Sequence, residues 1–486
     1  MDIYLRREPK AEKFTDILSL EKRKMEPEKY HIMMFPWLAF GHMISFLNLS
    51  KKLAEKGISI SYISTPKNLQ RLDPIPSNLE AKIRFLEIPI PRVEGLPENC
   101  EATVDLQQEE IQYLKKAYDE LAVPFQNLLE KVRPELILVD FAPYWVPEIA
   151  AKFGIQIAFF SVYTAATLAY MGPTDELRSG KRRSNPEQYT KPPGWVPFPS
   201  LVAYDPYYAP KMMLMHSPDA SGVSSGQRVA KILENCSFVV VKTSEEFEGE
   251  YINLVRELLK KPVLPIGLLS PPHEEKITNT EMNSNTFQWL DKQGPKSVVL
   301  VGFGSEYQMT VEEIHELAFS LELSRLPFLW ILRKPQKVDS SDLLPLGFSE
   351  RTLSQGLVLL GWAPQLEILA HRAIGGCLFH SGWGTIVESL HFGHPLILLP
   401  MVADQGLNAK LLVEKEVGYE VPRNEDGSFT REMVAESIRR VVVAPEGQKL
   451  RSKAAQMRSV FDNQESQSNY INKFIEHLEK YNDLKG

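Results

Sequence analysis

The chain has 486 residues, 43% of them hydrophobic and 24% charged, and a formal net charge of −7. This is globular composition at a length suited to two or three domains, and the acidic balance argues against a nucleic-acid partner. Three cysteines, Cys100, Cys236 and Cys377, are too few and too scattered for a disulfide framework or a zinc site.

Residues 1–28 mix Lys, Arg, Asp and Glu without an apolar core, so they read as a mobile extension rather than a signal or transit peptide. No stretch approaches the ~20 apolar residues of a membrane span, and the expectation is a cytoplasmic protein. Residues 31–35 (HIMMF) read as a buried strand. The turn 37–42 follows, then a helix over 44–56 in which Phe46, Leu49 and Leu53 share a face and Gly57 ends the run. Further strands are expected at 58–63, 83–88, 136–139 and 155–160.

Residues 172–199 hold several prolines and read as a long loop, with Lys181-Arg182-Arg183 as a solvated basic cluster. The Pro-, Asn-, Thr- and Glu-rich stretch 271–285 reads as a linker. A second series of strands is expected at 298–301, 328–332, 357–360, 377–379 and 396–399, with a helix over 311–323. Short apolar runs alternating with amphipathic stretches are the mark of βα units around parallel sheets. Two series joined by one linker predict an α/β protein of two doubly wound domains facing each other across a cleft.

In such sheets ligands bind outside the carboxyl ends of the strands. The segments there are 36–42, 140–145, 302–306, 361–365, 380–388 and 400–405, all rich in Gly, aromatic and hydrogen-bonding residues. The stretch 380–388, "HSGWGTIVE", joins a strand to a helix expected over 385–392. Backbone amides near Gly382, Trp383, Gly384 and Thr385 would form a helix N-terminus, and His380 would add a ring N–H, which together suit a diphosphate without a metal. Taken alone, the stretch fits equally well a Thr385 N-cap with packing glycines. Its neighbours favour the ligand. Trp362 offers an indole face for a base, where stacking is worth roughly 1–3 kcal/mol. Glu388 could hold a ribose diol, and Asp404 with Gln405 could hold the hydroxyls of a sugar.

Residues 362–405, from "WAPQLEILAHRAIGGCLFHSGWGTIVES" to "GHPLILLPMVADQ", resemble the signature box of plant family-1 UDP-glycosyltransferases. The similarity extends to "FPWLAFGHM", "ILVDFAPYW", "VVLVGFGSE" and "NAKLLVEKEVGYEVPRNEDG", and is nearest the group that elongates the sugar of an existing glycoside, some with rhamnose and others with glucose. The resemblance implies a GT-B fold of two Rossmann-like domains, with acceptor-binding residues 29–265, a linker at 266–285 and UDP-sugar-binding residues 286–460. Residues 461–486 would pack back on the first domain. It also implies that Trp362 and Ala363 hold uracil and that Gln365 and Glu388 hold ribose. His380, Thr385, Ser305 and the backbone near Gly382, Trp383 and Gly384 would take the phosphates, leaving Asp404 and Gln405 for the sugar. Relatives carry Asn-Ser where this chain has Gly384-Thr385, and many carry Pro where it has Ser45, which should loosen the start of the first helix.

An acceptor hydroxyl needs a general base, worth about 10²–10⁴-fold. His42 is the candidate, with Asp140 at the end of the 136–139 strand to fix its tautomer; in the family the matching residues form this dyad. The expected reaction is an inverting displacement by a metal-independent enzyme, consistent with the lack of any Asp-X-Asp sequence. Phe141, Tyr144, Trp145 and Tyr204 are placed in an acceptor pocket for a flavonoid- or terpenoid-like glycoside or aglycone, although each fits a core position equally well. In relatives a glutamine at the position of Gln405 goes with glucose, so the resemblance implies UDP-glucose, with UDP-rhamnose as the alternative, and a monomer. A dinucleotide oxidoreductase would need Gly-X-Gly-X-X-Gly after the first strand, where the chain has Trp-Leu-Ala-Phe-Gly-His. A non-catalytic small-molecule binder would be expected to lack the His42–Asp140 pair.

Overall fold

The computed structural model describes residues 30–270, 281–335 and 342–483, with side chains omitted at 281–284 and 481–483. The expected extension 1–28 and most of the linker stretch 271–285 lie outside the described residues.

Two parallel sheets carry the chain. The first comprises β1 (His31–Phe35), β2 (Ser59–Ser64), β3 (Ile83–Glu87), β4 (Leu136–Val139), β5 (Gln156–Ser161), β6 (Val239–Val241) and β7 (Val263–Pro265), ordered β3-β2-β1-β4-β5-β6-β7. The second comprises β8 (Val298–Gly302), β9 (Phe328–Leu332), β10 (Gly356–Leu360), β11 (Ile374–Phe379), β12 (Leu396–Leu398) and β13 (Gly418–Glu420), ordered β10-β9-β8-β11-β12-β13. The Val, Ile and Leu runs of β4, β6, β8 and β12 are buried throughout, as strands covered by helices on both faces must be. Both domains are Rossmann-like, as the alternating pattern predicts. The three-residue strands β6, β7 and β13 extend the sheets beyond the expected set; they are too short to show a period.

In each sheet the strand order reverses once, between β1 and β4 and between β8 and β11. Crevices open at such reversals. Around them lie helices α1 (Phe40–Glu55), α2 (Glu245–Leu259), α3 (Gln365–Ala370), α4 (Trp383–His391), α5 (Gln405–Glu414) and α6 (Gln464–Asp483). In α6, Ile471, Phe474 and Leu478 join the core beneath the first sheet, and Phe474 meets Phe238 with ring centroids 6.2 Å apart. Gln467 Oε1 accepts the Leu268 amide at 2.6 Å, so the C-terminal helix closes the chain back onto the first domain.

Three local expectations are corrected. The basic cluster is not wholly solvated: Arg183 is buried, pairs with Glu176 at 3.1 Å, and lies 4.6–5.0 Å from the rings of Tyr170, Tyr189 and Trp195. Aromatic faces and a carboxylate together make a buried guanidinium tolerable. The surrounding segment also holds the short helices Thr174–Ser179 and Pro186–Tyr189. Helix α1 begins at Phe40, before the expected residue 44. Ser45 lies inside this helix, where its hydroxyl donates back to the Gly41 carbonyl at 2.8 Å.

Candidate active site between the two sheets

Asp140 ends β4 and is buried on all sides. Its Oδ2 accepts the Trp37 amide at 3.0 Å, its Oδ1 accepts the Phe141 amide at 2.7 Å, and Oδ2 also meets His42 Nδ1 at 2.6 Å. A carboxylate held by two amides can only accept, so Nδ1 of His42 carries the proton and Nε2 is left with its lone pair. Burial works against charging this ring. The attraction and hydrogen bond of Asp140, followed by the fields of Glu306 and Asp404, more than offset it and hold His42 above the usual histidine value. The early start of α1 places His42 in the helix's first turn rather than before it. Phe141 and Tyr163 flank the imidazole at 5.8 and 5.5 Å between centroids, and Trp37 packs edge-on to Phe141.

Beyond β11 a second imidazole is treated differently. His380 is buried, its Nδ1 has no partner, and burial pushes it down to about 4, so it is neutral. Glycines make room for the ring: a Cβ at Gly304, where φ is +63°, would sit 2.6 Å from His380 Cε1, and one at Gly382 would sit 2.5 Å from Nε2. A Cβ at Gly384 would meet nothing within 4 Å. Gly382 therefore packs a side chain, while Gly384 borders open space.

Gly382 caps α4, and the first bond inside that helix runs from the Ile386 amide to the Gly382 carbonyl. The amides of Trp383, Gly384 and Thr385 are thus free of helical partners and concentrate the positive end of the helix dipole. Thr385 lies within the first turn and is not the cap. The Trp383 indole turns away, stacks on Phe247 at 5.8 Å, and donates to the Lys242 carbonyl at 2.8 Å. Trp362 is 70% exposed and free to stack, beside buried Ala363. Gln365 Nε2 donates to Glu388 Oε2 at 2.6 Å, which joins two groups 23 residues apart.

Asp404 and Gln405 open α5. Asp404 accepts from Asn408 Nδ2 at 2.8 Å, and burial raises its carboxyl against the pull of Asn408 and His42. Gln405 Oε1 is spent on the Met401 and Val402 amides at 2.9 and 3.0 Å, leaving its NH₂ group for a ligand. Ser305 lies beyond β8, next to Glu306, whose Oε1 accepts its hydroxyl at 3.3 Å.

The two halves touch through Glu306. Its carboxylate accepts the Phe40 amide at the start of α1 at 3.2 Å and the Thr103 hydroxyl at 2.6 Å. An acidic group from the second domain thereby caps the helix that carries His42. Tyr204 and Tyr208 make a second junction: Tyr204 donates to the Ala403 carbonyl at 3.2 Å, and Tyr208 accepts the Ala403 amide at 2.6 Å.

Of the four aromatics expected in the acceptor pocket, Phe141 reaches His42 and Tyr204 supports the loop before Asp404. Trp145 and Tyr144 are corrected. Trp145 is buried in the core, edge-on to Phe125 at 5.4 Å and Phe35 at 5.9 Å. Tyr144 lies under Arg228 and Lys231 at 4.9 and 5.4 Å. Both residues sit where the chain enters helix Val146–Lys152, so the core and the neighbouring cations claim them.

A family described as UDP-glucoronosyl and UDP-glucosyl transferase matches residues 273–449. The chain is 42% identical over 458 residues to UDP-glycosyltransferase 91A1 of Arabidopsis thaliana, an alignment spanning 93% of this chain and 97% of that protein. It is 38% identical over 464 residues to soyasaponin III rhamnosyltransferase of Glycine max, spanning 94% and 97%. Its fold is similar to that of Glycyrrhiza uralensis UGT73P12 complexed with glycyrrhetinic acid 3-O-monoglucuronide, with a TM-score of 0.75 at 21% identity and coverage of 94% and 97%. The chain belongs to the plant family-1 UDP-glycosyltransferases. It is a GT-B enzyme that transfers a sugar from a UDP-sugar to an acceptor. No helix among the described residues is long and apolar enough to cross a membrane.

Within this UDP-glycosyltransferase, sequence reasoning missed the places of Glu306, Thr103 and Tyr163 at the site. Glu306 stands in the strand-end segment 302–306, but its partners are 266 and 203 residues away, a pairing no local pattern reveals.

Proposed function

We propose that the enzyme transfers glucose from UDP-glucose, with inversion and without a metal, to a sugar hydroxyl of a flavonoid or terpenoid glycoside. The 2.6 Å contact between His42 and Asp140 carries this reading. Nε2 of His42 takes the proton of the acceptor hydroxyl while that oxygen attacks the anomeric carbon and the bond from that carbon to the phosphate oxygen breaks. UDP departs with the bonding pair, and Asp140 stabilises the imidazolium left behind.

The donor would lie along the second sheet. Uracil stacks on Trp362 and bonds the Ala363 backbone, and ribose meets Gln365 and Glu388. The phosphates take the free amides of Trp383, Gly384 and Thr385, the Thr385 and Ser305 hydroxyls, and the neutral ring of His380. These donors supply what the leaving group needs as charge develops on it. Asp404 accepts from sugar hydroxyls and the Gln405 NH₂ group donates to them. Phe141, with Trp37 and Tyr163, gives the acceptor an apolar wall beside the base.

UDP-rhamnose is the second reading for the donor, favoured by the similarity to soyasaponin III rhamnosyltransferase. Competition between equimolar UDP-glucose, UDP-rhamnose, UDP-galactose and UDP-xylose on a flavonoid glycoside decides it. Glucose should dominate the product; a rhamnosylated product overturns the donor assignment. Turnover unchanged by EDTA is expected for metal independence.

A further inference from the structure

One cation between the two sheets has no counter-ion in contact. Lys242 follows β6 and is 5% exposed. Its carbonyl accepts the Trp383 indole N–H at 2.8 Å, so the residue abuts the first turn of α4. Its Nζ donates to Ser45 Oγ at 3.2 Å, one turn after His42 on α1. Lys242 thus bridges the two helices, its backbone against the helix with the free amides and its ammonium on the helix of the base. Among the described residues it makes no salt bridge, and it uses one of its three donors. Burial holds it down to about 8, against the partial pull of Glu388 in the second turn of α4.

A buried ammonium with spare donors is costly unless something anionic completes it. On the two helices that Lys242 bridges, space is open at Gly384 and at Gly41, where a Cβ would meet nothing within 4 Å. The free amides of α4 already favour an anion there. We propose that Lys242 is a contact for the donor's diphosphate, its ammonium reaching a phosphate oxygen through the space beside Gly384. The inference rests on the reading of α4 as the phosphate cradle. Ser45 is then the group that holds the ammonium while the site is empty. Where a Cβ-bearing polar residue at position 384 could have reached a phosphate from α4 itself, the contact comes from the other domain. Donor binding would therefore also draw the two domains together.

Calorimetric titration of UDP and uridine into wild type, Lys242→Met and Lys242→Arg tests this. Wild type should bind UDP more tightly than uridine; if it does not, the cradle reading itself fails. Given that preference, Lys242→Met should weaken UDP about 10- to 100-fold, the scale of a charged hydrogen bond, and leave uridine within about twofold. Lys242→Arg should keep most of the preference for UDP. Unchanged UDP binding in Lys242→Met, or equal loss of UDP and uridine, overturns the proposal. If Lys242→Met does not fold, pH separates the outcomes. The charged group acting on Nζ is Glu388 from α4, and α1 presents the uncharged Ser45. Wild-type affinity for UDP relative to uridine should then fall between about pH 7 and 8.5 as the free ammonium loses its proton, with a flat profile in Lys242→Arg. Parallel profiles in the two proteins overturn it.

Discussion

Two histidines, His42 half-buried and His380 buried, stand beside the strand reversals of the two sheets, and their surroundings give them opposite characters. His42 meets a carboxylate at 2.6 Å and is held above its usual value, while His380 has an unpartnered Nδ1 and is pushed down to about 4. Burial is common to both, so the neighbouring aspartate makes the difference. One ring suits the proposed base. The other stays neutral and can offer only a hydrogen bond, which suits a group that must stabilise a departing phosphate without taking its proton.

Mutations that erase either character should separate in size and in kind. His42→Ala removes the base and should lower kcat by about 10²–10⁴-fold while leaving UDP binding by calorimetry unchanged; near-normal turnover would refute the base assignment. His380→Ala should cost about 10²–10³-fold in kcat with the pH profile preserved, because it removes a donor to the leaving group and not the titrating ring. A shift of the acid limb in that variant would mean the two rings had been assigned the wrong way round. Glu306→Ala removes the cap that the second domain places on α1 and should lower stability by ~1 kcal/mol in denaturant unfolding. It should also bring the acid limb slightly down, since Glu306 contributes to the raised value of His42.

The sequence read well where the signal is local. The strands at 31–35, 136–139 and 328–332 emerge at the expected residues because each is a short apolar run bounded by turn chemistry. The box 362–405 is legible for the same reason, since its motifs follow one another within 44 residues of sequence. What was not legible depends on distant partners. The start of α1 is set at Phe40 by Glu306 from the other domain. The Trp145 indole could equally have faced the cleft or the core, and only the positions of Phe35 and Phe125 decide it. Arg183 looked solvated because the rings that enclose it lie on three separate segments.

The most direct test of the account is the pH dependence of kcat/KM for wild type and Asp140→Asn under one set of substrates. The base works only when neutral, so the rate should fall as pH drops through the value of His42. In wild type that acid limb should lie above 6.5, the ordinary histidine value. In Asp140→Asn the charge that raises it is gone, burial prevails, and the limb should move below 6.5 while the plateau also falls. An acid limb at the same pH in both proteins would contradict the assignment of His42 as a base tuned by Asp140.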